Sequence, residues 1–239
     1  MPVKEFVEGR YLVMVTARGT IKKTPLTAFA NINRLGVIAI NVLEDDRLIE
    51  AAITDGSYDI ILGTKNGFAI RFPEETVRAM GRTAAGVRGI RLRDSDRVVG
   101  MVVADPEGDL LTACAHGYGK RTPFGPNLGH ELSGQPPEDD DQPDAPGEAS
   151  GETLGESPDA RPGEPGAADE DAEDSDEHAD GDANNSQRSY RTQRRGGKGL
   201  RDIKTTGRNG PVIGICRVRD EDELLMITAR GKLQRISAG

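Results

Sequence analysis

One local pattern recurs four times along the 239 residues and limits the fold more than any other feature. An apolar run leads into a short polar turn closed by glycine, and a second run carrying a cation follows. The copies begin at Tyr11, Asp59, Leu110 and Leu224, and their turns close at Gly19, Gly67, Gly117 and Gly231. Three positions before each glycine stand Thr16, Thr64, Cys114 and Thr228, and four positions after it stand Lys23, Arg71, Arg121 and Arg235. Arg18, Asn66, His116 and Arg230 immediately precede the glycines. A residue-then-glycine pair between β-rich runs predicts a β-hairpin turn in which the glycine takes a positive φ.

A second marker occupies the other half of each unit. Gly36, Gly86 and Gly199 are followed ten positions later by Asp46, Asp96 and Asn209. Strand-like runs lie between them, at Val37–Val42, Val87–Leu92 and Leu200–Thr205. Each unit therefore reads as about four short strands, and the period of about 50 residues predicts an all-β, propeller-like array of four-stranded blades. Helical signal is confined to Pro73–Met80, where proline suits the first position of a single turn. The chain starts at the edge of one unit and stops after the hairpin of the fourth, so the array reads as incomplete, a fragment of a larger protein.

The overall net charge of -9 hides two opposite objects. Residues 127–187 hold 20 Asp and Glu against one basic residue, Arg161, which leaves 20 acidic and 30 basic residues elsewhere. This stretch is rich in Pro, Gly, Ala and Ser, and it nearly lacks Val, Ile and aromatics. It cannot bury enough apolar surface to offset the entropy of ordering, so it is expected to be disordered. Its length matches the excess spacing between the third and fourth turn glycines, which makes it an insertion within the third unit. The expected organisation is residues 1–126 as about two and a half blades, 127–187 as insertion, and 188–239 as the rest of the third blade with part of a fourth.

The basic remainder points to a polyanionic partner. Lys23, Arg71, Arg121 and Arg235 share one phase of the repeat, which predicts one cation per blade along an exposed rim. Arg18, Lys22, Lys65, Lys120, Arg230 and Lys232 flank the hairpin turns, and Arg34, Arg82, Arg88, Arg91, Arg195, Lys198 and Arg201 lie near the second set of glycines. Regular positive charge suits duplex DNA, whose phosphates offer one charge per ~1.7 Å of axis. The densest run is Gln193, Arg194, Arg195, Gly196, Gly197, Lys198 and Gly199. Side chains cannot cover its backbone, so bare N–H groups and guanidinium forks are expected to meet phosphates there; the alternative is a solvated basic loop. With 4% aromatics and no Trp, platforms for unpaired bases are few, and Phe68, Phe72, Tyr11 and Tyr118 are assigned to core or half-core positions. Backbone binding of duplex with readout by deformability fits best.

Other chemistries find no support. Cys114 and Cys216 are single and far apart, so neither disulfide framework nor zinc site is indicated. His116, His130 and His178 do not cluster with carboxylates at ligand spacing. Gly196-Gly197-Lys198-Gly199 fails the phosphate-loop spacing because glycine follows the lysine. Neither a signal peptide nor a long apolar run is present, so the chain reads as soluble and cytoplasmic.

Several motifs together resemble the C-terminal domain in the A subunit of bacterial DNA gyrase. Gln193–Gly199 is identical to that family's box motif, and Thr16–Thr24, Val77–Gly81, Gly86–Leu92, His116–Thr122, Thr206–Gly210 and Val212–Gly214 are similar to it as well. The resemblance spans the chain outside the insertion. It implies a β-pinwheel whose blades exchange strands, binding and wrapping duplex DNA without catalysing a reaction itself. Wrapping of this kind supports ATP-dependent negative supercoiling by a type II topoisomerase. The implied partners are double-stranded DNA, the remainder of the gyrase A polypeptide, and the gyrase B polypeptide in an A2B2 assembly on the chromosome. ATP and Mg2+ would belong to other parts of that enzyme, and no cofactor is expected here. Arg10 and Tyr11 are adjacent but begin a hairpin strand and lack the family's cleavage-site surroundings. In the family the box lies in the first blade, whereas here it follows the insertion in the third unit. The alternatives are the corresponding domain of topoisomerase IV, and a propeller-like protein-interaction scaffold. The insertion, from Glu138 to Asp182, is either an internal DNA mimic or a solubilising segment.

Overall fold

The computed structural model describes residues 3, 5–32, 35–125 and 190–239. The acidic insertion and Arg34 lie outside them. Among the described residues thirteen strands form: β1 (Tyr11–Thr16), β2 (Thr20–Pro25), β3 (Leu48–Thr54), β4 (Asp59–Thr64), β5 (Phe68–Pro73), β6 (Val87–Arg88), β7 (Val98–Val103), β8 (Asp109–Cys114), β9 (Gly119–Pro123), β10 (Leu200–Arg201), β11 (Val212–Val218), β12 (Glu223–Ile227) and β13 (Leu233–Ser237). Two 3₁₀ turns, Leu26–Phe29 and Glu74–Thr76, accompany them, the second inside the stretch where a helical turn is expected.

The strands make four antiparallel sheets, ordered β3-β1-β2-β6, β10-β5-β4-β7, β11-β8-β9 and β12-β13. Each hairpin turn closes on a left-handed glycine, with φ of 83° at Gly19, 82° at Gly67, 83° at Gly117 and 76° at Gly231. The threonine three positions earlier caps the turn. Thr16, Thr64 and Thr228 each accept, through Oγ1, the backbone N–H of the residue after the glycine, at 3.3, 3.2 and 3.0 Å. The aspartates of the second marker hold the same turns from outside. Asp46 accepts the N–H of Arg18 and of Arg47, and Asp96 that of Asn66 and of Arg97.

The outermost strand of a sheet comes from the following unit. β6 pairs with β2 through Thr20↔Arg88, and β10 pairs with β5 through Phe68↔Arg201. This exchange explains why the strand expected at Val37–Val42 does not form. Ile38 is 71% exposed there, because the described residues hold no preceding hairpin for the segment to join. Likewise β9 has no outer partner among the described residues, so the third sheet has three strands.

Sheet order also explains the unbroken apolar run Ile60-Ile61-Leu62. Side chains alternate across a strand, and here both faces are covered. Ile60, Leu62, Ile70 and Phe72 pack with Val13, Val15 and Ile21 of the first sheet. Ile61 and Ala69 pack the other way, with Leu110 of the third sheet and Phe124 just after it. The fourth sheet has no such cover among the described residues, and Leu225, Ile227 and Leu233 are 56–69% exposed.

Candidate nucleic-acid interface

Three of the four cations at the repeated phase, Lys23, Arg71 and Arg121, are turned into the fold instead of onto an exposed rim. Arg71 is 1% exposed, with Nε 2.8 Å from Asp59 Oδ2 and Nη1 donating to the carbonyls of Phe124 and Tyr190. Lys23 is buried over the Tyr11 ring, donates to the Glu74 carbonyl at 3.1 Å and lies 3.8 Å from the Glu74 carboxylate. Arg121 is held by Asp109 and Asp220 and donates to the Ala238 carbonyl. Glu74, Phe124 and Ala238 occupy one phase, seven positions after the next unit's turn glycine. The repeated cation is thus a clamp from each unit to the next. Burial alone is unfavourable for it, and an acid twelve positions earlier, Asp59 or Asp109, supplies the compensating charge. Arg235 has the same kind of partner, Glu223, but both are more than half exposed.

Lys22 is also buried, against expectation, and its Nζ donates to the carbonyls of Ala39 and Arg82. Burial lowers the pKa of both Lys22 and Lys23. Lys120 donates to the Asp202 carbonyl at 2.9 Å and sits 3.4 Å from its carboxylate. That carboxylate also accepts the Thr112 hydroxyl. Burial, reinforced by the Asp202 charge, pushes the Tyr190 phenol far above its ordinary value. These groups belong to the fold.

The heptapeptide divides. Its glycines serve close approach to the second unit: Gly196 N–H donates to the Gly89 carbonyl, Arg91 N–H donates to the Gly197 carbonyl, and a Cβ on Gly199 would stand 2.8 Å from the Ala69 oxygen. The Gly196 and Gly197 N–H groups are used internally, and so are not bare as the sequence suggests. Gln193 N–H is bonded to the Arg71 carbonyl. Arg195 donates to the carbonyls of Thr76 at 3.0 Å and Arg88 at 2.6 Å, locking the loop down. Arg194 and Lys198 are exposed.

Around this seat the structure collects Arg88, Arg91, Arg93, Lys198 and Arg201, all exposed. None of the five has an ion-pair partner among the described residues. Arg93 falls outside the cations that the repeat singles out. It donates to the Lys198 carbonyl at 3.0 Å, and its guanidinium lies 3.5 Å from the Phe68 ring centroid. Arg201 faces the same ring at 5.3 Å. In the third unit Tyr118 is exposed rather than half-core, and Arg208 stacks on it at 5.2 Å while donating to its hydroxyl at 2.7 Å. The available signal was an aromatic directly after the turn glycine, at Phe68 and Tyr118. Arg18 and Lys232 are exposed beside their turns, and Arg47, Lys65 and Arg97 line an open groove with Ile49, Val99 and Val212. Among the described residues no group of three or more His, Cys, Asp or Glu is placed to hold a metal, and no helix is long and apolar enough to cross a membrane.

Four-stranded β units that exchange their outermost strand with the next unit define a β-pinwheel type of repeat. Similarity to known proteins narrows this class. Residues 10–55, 58–105 and 188–219 match the model of the DNA gyrase C-terminal domain, beta-propeller, over more than half of the chain, and the chain belongs to that family. It is 35% identical over 235 residues to the A subunit of DNA gyrase from Salmonella typhimurium, covering 98% of this chain and 20% of that one. It is 37% identical over 230 residues to the same subunit from Haloquadratum walsbyi, covering 95% and 20%. The chain therefore spans about a fifth of the length of these relatives. In fold it is similar to the C-terminal domain of DNA topoisomerase IV, with TM-score 0.67 at 19% identity over 99% of this chain and 55% of that one. It is similar also to a DNA gyrase A C-terminal domain, with TM-score 0.64 at 23% identity over 99% and 58%.

Proposed function

We propose that this chain binds and wraps duplex DNA as a non-catalytic part of a gyrase-type topoisomerase. The observation that carries the reading is the group Arg88, Arg91, Arg93, Lys198 and Arg201, five exposed cations set around one loop with no carboxylate paired to them among the described residues. Such a group attracts phosphates and releases their counterions, independently of base sequence. Family membership supports DNA as the polyanion. Strand cleavage, ATP and Mg2+ then belong to other parts of a larger assembly on the chromosome, containing the rest of the gyrase A polypeptide and the gyrase B polypeptide. In this role the chain requires no cofactor.

The topoisomerase IV domain shares this fold, and the second reading is that of such a domain, binding with little wrapping. A duplex of about 100 base pairs, labelled at both ends and titrated across a salt series, separates the two. Steep salt dependence equal for unrelated sequences, with the ends drawn together, supports wrapping. Tight binding without end approach supports the second reading. Absence of salt-dependent binding removes both and favours a protein-interaction scaffold.

A further inference from the structure

Phe68 follows the turn glycine of the second hairpin and sits directly opposite Arg201 in the ladder between β5 and β10. Arg93 reaches the same ring from the loop between β6 and β7. Three separate segments, one of them the exchanged strand of the next unit, therefore bring two guanidinium groups onto one aromatic ring. Like charges gathered at one place repel each other, and among the described residues no carboxylate is paired with either arginine. The ring holds each cation by the attraction of its face, and the Lys198 carbonyl takes one Arg93 N–H. The remaining donors of both forks are left for an anion. An arginine fork matches a phosphate by parallel N–H bonds, and one already held loses less freedom when it binds.

We propose that Phe68, Arg93 and Arg201 form a clamp for a backbone phosphate of duplex DNA, with Phe68 the residue that positions both arginines. The clamp rests on the DNA-binding reading above and refines it. It exists only when the Leu200–Arg201 strand is seated on the preceding unit, so phosphate binding there is coupled to strand exchange between units. The Arg208–Tyr118 stack repeats the device in the third unit, with a single arginine.

The test uses the whole chain, a 40-base-pair duplex and affinity measured across a salt series, with Tm recorded for every variant. R93Q keeps a donor for the Lys198 carbonyl and removes the charge. R93Q/R201Q is expected to lower the slope of log affinity against log salt by about 0.9, the one phosphate that the clamp holds, and each single variant by less than that. F68L is expected to weaken binding roughly two- to fivefold, F68Y to retain it, and F68L added to R93Q/R201Q to cost nothing further. A structural role for Phe68 alone would instead lower Tm and weaken binding equally in both backgrounds. Unchanged slopes in R93Q/R201Q, while the native chain binds DNA, overturn the clamp and leave the broader reading standing. A native chain that fails to bind overturns both.

Discussion

Arg71 and Phe124 join two repeat units through one buried hydrogen bond, from the guanidinium of the second hairpin to the carbonyl that follows the third. The same phase joins Lys23 to Glu74 and Arg121 to Ala238. The most regular cation of the sequence is therefore a fastening between sheets, and the surface proposed to meet DNA is set by less regular residues.

Replacing Arg71 with methionine leaves Asp59 buried without its partner and two carbonyls without a donor. The expected loss in urea unfolding is about 3–5 kcal/mol. Arg235→Met, at the equivalent but exposed pair, is expected to change stability by less than about 1 kcal/mol. The salt slope of DNA binding by the folded protein should be the same in both. A stable Arg71→Met with a reduced slope would return Arg71 to the DNA-binding surface.

The turn glycines make a second contrast. At Gly67 a Cβ would stand 2.0 Å from the Ile203 oxygen, because the exchanged segment runs across the turn, whereas at Gly231 nothing lies within 4 Å. Both have positive φ, so Gly231→Ala bears the left-handed penalty alone, about 1–2 kcal/mol. Gly67→Ala adds a backbone clash and should be clearly less stable by thermal melting. Equal losses would mean that the exchanged strand is not seated there.

Much of this architecture was legible in the sequence. The phases of Gly19, Gly67, Gly117 and Gly231 marked the hairpins, and Asp46 and Asp96, ten positions after the second glycines, marked the latches onto them. Val37–Val42 has the pattern of a strand and does not form one, because a local pattern carries no information about which neighbour is present to pair with it. The expected rim of cations is lost at Lys23, Arg71 and Arg121 for a related reason. A lysine or arginine at a regular phase looks the same whether it faces water or a carbonyl of the next unit. The residue twelve positions earlier does not tell them apart, because exposed Arg235 has Glu223 there and buried Lys23 has Tyr11. The Arg93–Phe68–Arg201 group joins three distant segments and had no periodic signal beyond the aromatic itself.

Glu74 supplies a pH dependence. Burial raises its carboxyl pKa above 4.5, partly offset by the Thr54 hydroxyl, 2.6 Å away, and by Lys23. The folded state holds that proton more tightly than the unfolded chain does, so this contribution is fully present below pH 4.5. It is lost as pH rises through the raised value. The difference in unfolding free energy between the native chain and Glu74→Gln should fall with rising pH across that window. A difference that grows with pH would mean that the ion pair with Lys23 outweighs desolvation.

The acidic insertion, residues 127–187, lies outside the described residues, and its charge alone motivates a role. We propose that it competes with DNA for the basic surface as a tethered polyanion. Deleting it should tighten duplex binding and steepen its salt dependence. Unchanged affinity would leave it a solubilising segment.

If DNA follows the cations around the Gln193–Gly199 loop, the two ends of a duplex of about 100 base pairs approach each other on binding. Energy transfer between its labelled ends should rise with the native chain. In R88Q/R91Q/K198Q it should be largely lost, with the salt slope lower by about 2.7. R235Q should leave both readings unchanged. Undiminished transfer and slope in the triple variant would contradict the account and place DNA on another face of the repeat.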